Sequence, residues 1–167
     1  GQSLQFYCPY LIQKIKMFNM IEFLLVDDDN DDSDLIVEAL NEMDIPVNYT
    51  YAMEGADAVK MIDGGYVPNI IFLDINMPGM DGWQCLKQFK SNQAVKDVPV
   101  IMYSTSSFQH EIDKAFELGA LAFFTKPNHY SLLKKNICVV LTALQDNEIN
   151  SLNITVIESI TPSERRP

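Results

Sequence analysis

Short apolar runs alternate with helical stripes along most of the chain. Phe23-Leu24-Leu25-Val26 has the length of a buried strand and is ended by an acidic cluster. Ile36, Ala39, Leu40 and Met43 then recur at the spacing of one helix face. Val47 to Met53 alternates apolar and polar positions with aromatic and β-branched types, the pattern of a strand, and Ala56 to Ile62 returns to helical spacing before Gly64-Gly65 stops it. Asn69 to Ile75 is nearly continuous in apolar residues. The Pro78-Gly79 turn follows, then a helix from Asp81 to Ser91 carrying Trp83, Leu86 and Phe89. Val98 to Ser104 predicts a fourth strand, and Ile112, Ala115, Phe116 and Leu118 share one face of a helix that Gly119 terminates. Ala122 to Thr125 predicts a short fifth strand ended by Pro127. The last helix runs from Ser131 to Gln145 on a stripe of Leu133, Ile137, Val140, Leu141 and Leu144.

Strand and helix units in this alternation, with strands apolar enough to be buried on both faces, predict an α/β fold: a parallel sheet between two layers of helices, joined by right-handed crossovers. With 167 residues, 47% of them hydrophobic, the chain can bury one core and not two comfortable domains. Residues 20–145 are assigned to that domain. Residues 1–19 are set apart as an N-terminal extension of upstream or added sequence; they lack the charged start and small-residue cleavage pattern of a signal peptide. Residues 146–167 form a tail: polar at Asp146-Asn147-Glu148, β-prone from Leu152 to Ile160, then charged and flanked by prolines. It is too short to make an output domain without a staple.

Charge and cysteines narrow the function. A net charge of −11 repels a nucleic-acid backbone, so direct DNA or RNA binding is not expected. The three cysteines, Cys8, Cys85 and Cys138, are widely spaced and form no metal-binding pair, which suits reduced thiols of a cytoplasmic protein. No apolar run approaches the about 18 residues of a membrane helix, so no membrane association is expected.

In an open parallel α/β sheet, ligands bind beyond the carboxyl ends of the strands. Asp27 and Asp28 stand past the first strand, Asp74 past the third, Ser104-Thr105 at the end of the fourth and Lys126-Pro127 past the fifth. Three carboxylates brought together repel one another, so one is protonated or a cation joins them. An oxygen-only set suits Mg²⁺, which usually keeps several waters and a phosphate oxygen. Lys126, Ser104 and backbone N–H groups at the loop mouths could hold further phosphoryl oxygens, which makes a carboxylate here a candidate covalent acceptor of phosphate.

At these residues the sequence resembles the receiver domains of two-component response regulators. The resemblance is carried by Leu25-Val26-Asp27-Asp28, the segment Phe72-Leu73-Asp74-Ile75-Asn76-Met77-Pro78-Gly79-Met80-Asp81-Gly82, Pro99-Val100-Ile101-Met102 leading to Ser104, and Lys126-Pro127. It implies a doubly wound five-stranded sheet of order 2-1-3-4-5. It also implies that Asp74 is the phosphoacceptor, Asp28 a direct metal ligand and Asp27 a ligand largely through water, with the backbone carbonyl of Asn76 completing the protein's share. The expected ion is Mg²⁺, with Mn²⁺ as a substitute. Ser104, Lys126 and the backbone at Ile75, Asn76 and Thr105 would bind the phosphoryl group. Phe123 stands where the family has an aromatic switch, expected to turn inward as Ser104 moves. Expected partners are a sensor histidine kinase or phosphotransfer protein and a downstream protein, with a second copy of the chain as a candidate on the face of the fourth helix, fifth strand and fifth helix. The chain would be a switch with slow self-dephosphorylation and not an enzyme. Asp29, Asp31, Asp32 and Asp34 go beyond what such a site needs.

Three rival readings are weaker. Asp27, Asp29 and Asp31 with Glu38 imitate a calcium loop, but Asp32 stands where its turn needs glycine and a strand precedes it. A haloacid-dehalogenase-type phosphohydrolase would carry a second Asp where this chain has Asn76. A pseudo-receiver would lack competent residues at the site, and here each position is filled. His110 and His129 are read as surface residues.

Overall fold

The computed structural model describes residues 19–151. The extension up to residue 18, with Cys8, and the β-prone stretch Leu152 to Ile160 lie outside the described residues. Five strands, β1 (Ile21–Val26), β2 (Val47–Ala52), β3 (Ile70–Asp74), β4 (Val100–Ser104) and β5 (Ala122–Thr125), form one parallel sheet in the order β2-β1-β3-β4-β5. The helices are α1 (Asn30–Asn41), α2 (Gly55–Asp63), α3 (Gly82–Ser91), α4 (Gln109–Glu117) and α5 (Tyr130–Gln145).

The period of two along each strand divides the core into two layers. Leu24, Val26, Ile71, Leu73, Met102 and Phe123 face α2, α3 and α4, which contribute Ile62, Leu86, Phe89 and Ala115. Phe23, Leu25, Phe72, Ile101, Tyr103 and Phe124 face α1 and α5, which contribute Ile36, Leu40, Ile137 and Leu141. β3 and β4 are buried at every position because they are central and covered on both sides. β2 is at the edge, and its mixed VNYTYA sequence is largely accessible.

Some boundaries differ from the sequence expectation for identifiable reasons. β4 starts at Val100 and not Val98, because the Val98 and Lys96 carbonyls both accept from the Lys90 ammonium, at 2.9 and 3.0 Å, and so belong to a turn. β1 starts earlier, at Ile21, whose N–H donates to the Pro46 carbonyl at 2.9 Å. Beyond α5, Asn147 adopts φ 57° and the Glu148 N–H returns to the Ala143 carbonyl at 2.8 Å, folding Ile149 onto the α1–α5 side of the core.

Candidate functional site

Each site residue follows from how its strand ends. β1 stops at Val26 because Asp29 caps α1: its carboxylate accepts from the backbone N–H of Asp31 at 2.9 Å and of Asp32 at 3.3 Å. Asp27 and Asp28 are thereby held between strand and helix. Asp27 is fully buried, with one carboxylate oxygen accepting from the Asp29 N–H at 2.9 Å; Asp28 is exposed. Tyr51 of β2 donates its hydroxyl to the Asp27 carbonyl at 2.8 Å and so braces this turn.

Asp74 is the last residue of β3 and is 5% exposed. The loop after it is fixed by the Ile75 carbonyl, which accepts from the Gly82 N–H at 2.9 Å, and by Asp81, which caps α3 in a reciprocal box with Gln84. Gly79 takes φ 74° in the intervening turn, a conformation that glycine adopts without penalty. Gly82 lies so close under the strand end that a Cβ there would collide with the Asp74 carbonyl oxygen and sit 2.8 Å from the Ile75 Cα. Ser104, fully buried, ends β4, and its hydroxyl oxygen accepts from the Ser106 N–H at 3.2 Å, which leaves the hydroxyl proton free to be donated. The Ser104 carbonyl takes the Lys126 N–H at 2.7 Å, tying the two residues through the backbone.

The Lys126 ammonium meets three acids: Asp32 at 2.8 Å, Asp27 at 2.9 Å and Asp74 at 3.4 Å. Burial alone would disfavour its charge, but the hydrogen bonds to Asp32 and Asp27 outweigh this and hold it well above the ordinary lysine range. Asp74 is pushed up to about 6, by burial first and by the charge of Asp27, with Lys126 opposing. Asp27 is also raised, by burial, with the Lys126 hydrogen bond opposing. Tyr103 lies beneath, its ring 5.1 Å from the ammonium. One cation thus shares a pocket with more negative charge than it can neutralise.

Oxygens of Asp27, Asp28 and Asp74 lie within 4.8 Å of one another. An open cleft of about 580 Å³ above them is lined by Asp28, Asp32, Asp74, Asn76, Thr105 and Lys126, among others. Asp27 and Ser104 lie beneath this lining and not in it. The sequence reading thus named residues that the fold does bring to one edge. Asp29 caps α1, as one of the acids near Asp27 and Asp28 was expected to, whereas Asp32 is not surplus to the site, because it binds Lys126. The cap-and-helix geometry of Asp29 to Asp32 also rules out the calcium-loop reading, since these residues form a helical turn. Phe123 is fully buried beside Met102, so in this structure its ring already lies within the core. His110 and His129 are exposed, as expected. Asp32 and Tyr51 were missed. The capping role expected of one of these acids carried the signal for the first, because a cap at Asp29 sets Asp32 in the opening turn of α1, at the carboxyl edge.

This sheet order, with acids and a lysine at the strand ends, defines a receiver-type α/β switch domain. The family described as the response regulator receiver domain matches residues 23–138, and the chain belongs to it. It is 31% identical over 120 residues to the response regulator Rcp1 of Synechocystis sp., covering 68% of this chain and 82% of that protein. It is 27% identical over 121 residues to the chemotaxis protein CheY1 of Helicobacter pylori, covering 72% of this chain and 97% of that protein. Among solved structures, the Mn²⁺-bound form of Rcp1 superposes with a TM-score of 0.66 at 28% identity over 72% of this chain and 91% of that one. The phosphorylated cyanobacterial phytochrome response regulator RcpA gives 0.70 at 26% identity over 77% and 96%. Among the described residues, no helix is long and apolar enough to cross a membrane.

Proposed function

We propose that the chain takes a phosphoryl group on Asp74 from a histidine kinase or phosphotransfer protein and signals through protein contacts. The observation that carries this reading is the convergence of Asp27, Asp28, Asp74 and Lys126 at one sheet edge. In the transfer, an Asp74 oxygen forms the new O–P bond as the N–P bond of a phosphohistidine breaks, and the freed imidazole nitrogen takes a proton. The product is an acyl phosphate.

The donor set fits Mg²⁺, with Mn²⁺ as a substitute: it is all hard oxygen, and Asp74 and Asp27 both hold protons more tightly than ordinary carboxylates. Both Asp27 oxygens already accept, from Asp29 and Lys126, so Asp27 acts through water. Asp28, Asp74 and the Asn76 carbonyl would be the direct ligands. When bound, the ion offsets the acids and draws a phosphoryl oxygen. A related protein solved in a Mn²⁺-bound form and another solved phosphorylated support this reading.

Lys126 then pairs with the phosphoryl group, while Ser104 donates its hydroxyl proton and Ile75, Asn76 and Thr105 offer backbone N–H groups. Movement of Ser104 would alter the packing around buried Phe123, and with it the face of α4, β5 and α5. This face would receive the downstream partner or a second copy of the chain. The phosphoryl group is lost by slow self-hydrolysis, with no turnover of outside substrates. The reading is tested by incubating the chain with acetyl phosphate and Mg²⁺. Intact mass should rise by one phosphoryl group that hydroxylamine removes, and an unchanged mass would refute it.

A further inference from the structure

Asp32 has no part in the chemistry above, yet it makes the shortest ion pair in the site. Its Oδ2 lies 2.8 Å from Lys126 Nζ, against 3.4 Å for the Asp74 contact. We infer that Asp32 is a positioning residue for Lys126: the counter-ion that holds the ammonium while Asp74 is unmodified, and that competes with the phosphoryl group for it afterwards. The inference rests on the phosphoacceptor reading of Asp74.

The placement is built into the fold. The Asp29 cap fixes the backbone of Asp32 in the first turn of α1, and the Ser33 hydroxyl, donating to the Asp29 carbonyl at 2.8 Å, secures the same turn. There the free N–H groups of the helix start favour a negative charge. Asp31 and Asp34 stand on the same helix, exposed, and make no ion pair with Lys126.

Burial decides which contact gives way. The Asp27 side chain is 0% exposed, so withdrawing Lys126 from it strands a buried charge, whereas Asp32 is 31% exposed and water can replace the ammonium. The move of Lys126 toward a phosphoryl oxygen therefore proceeds by release of Asp32. That release opposes phosphorylation in the resting protein and favours return to the resting state.

The test uses the full chain, Mg²⁺ and beryllofluoride, a non-covalent mimic of the phosphoryl group, titrated against wild type, Asp32→Asn, Asp32→Glu and Asp31→Asn. Asp31→Asn removes the same charge from the same helix turn and so measures the general electrostatic effect. Asp32→Asn should bind the mimic about fivefold more tightly, the scale of one partly exposed ion pair, while Asp31→Asn changes by less than about twofold. Asp32→Glu, which keeps the charge, should return to within about twofold of wild type. Equal shifts in Asp32→Asn and Asp31→Asn, or weaker binding in Asp32→Asn, would overturn the inference alone. Wild type that fails to bind the mimic with Mg²⁺ would overturn the phosphoacceptor reading and the inference with it.

Discussion

Lys126 Nζ lies 3.4 Å from Asp74 Oδ1, near enough to attract the carboxylate and too far for a short charge-assisted hydrogen bond. The lysine is spent mainly on Asp27 and Asp32, and Asp74 keeps much of its electrostatic discomfort. That excess is what a metal ion and an incoming phosphoryl group would resolve together.

Removing the lysine leaves Asp27 and Asp74 buried with no cation paired to them among the described residues. Lys126→Ala should destabilise the metal-free protein at pH 7.5 by roughly 3–5 kcal/mol, the cost of stranding a buried charge. Mg²⁺ should recover part of the loss, and the variant should still take phosphate on Asp74 without changing its partner binding or self-association. Urea midpoints with and without Mg²⁺ check the first statement; an unchanged midpoint would contradict it.

The raised Asp74 carboxyl carries a definite pH signature. Its unfolded value is near 3.8 and its folded value about 6, chiefly through burial, so between these the folded chain holds more protons. Stability falls as pH rises through that window, and the whole penalty is present above it. Asp74→Asn should therefore stabilise the metal-free protein by about 1–3 kcal/mol at pH 7.5 and give no gain near pH 4. Denaturation of both proteins at the two pH values checks this; a gain of equal size at both would mean that charge is not its source.

Asp28 is exposed and has no hydrogen-bond partner among the described residues. Asp28→Ala should abolish Mg²⁺ binding while changing stability by less than about 0.5 kcal/mol, as expected of a surface position. Calorimetric titration reads the first and thermal melting the second. Wild-type metal affinity in this variant would remove Asp28 from the ligand set.

At Gly82 the fold and the site share one constraint. A Cβ would collide with the Asp74 carbonyl, which is backbone and cannot turn aside. Gly82→Ala should cost about 1–3 kcal/mol or more and slow phosphorylation by displacing the end of β3. An alanine variant with wild-type stability and labelling rate would show that the loop relaxes freely.

What the sequence made legible follows from the kind of signal each feature leaves. β1, β3 and β4 were visible because both faces are apolar and edge strand β2 by its alternation, and the site acids because each stands at the end of an apolar run. The start of β4 was misjudged because a valine at 98 looks like strand, while its carbonyl is taken by the Lys90 ammonium, a contact with no local pattern; its end at Ser104 was legible. Asp32 was discounted because, in an acidic run, composition does not distinguish a capping carboxylate from one that faces a lysine far along the chain; only the α1 cap and the strand order β1-β3-β4-β5 bring Asp32 to Lys126. Phe123 was assigned a role by resemblance, but its pose depends on packing against β4 and α4, which periodicity does not specify.

The central claim is that Asp74 alone accepts the phosphoryl group. The most direct measurement is intact and peptide mass after treatment with acetyl phosphate and Mg²⁺, comparing wild type with Asp74→Asn. One added phosphoryl group on the wild-type peptide holding Asp74, absent from Asp74→Asn and from wild type without Mg²⁺, is the expected result. Labelling of Asp74→Asn at the wild-type level would contradict it and place the acceptor elsewhere.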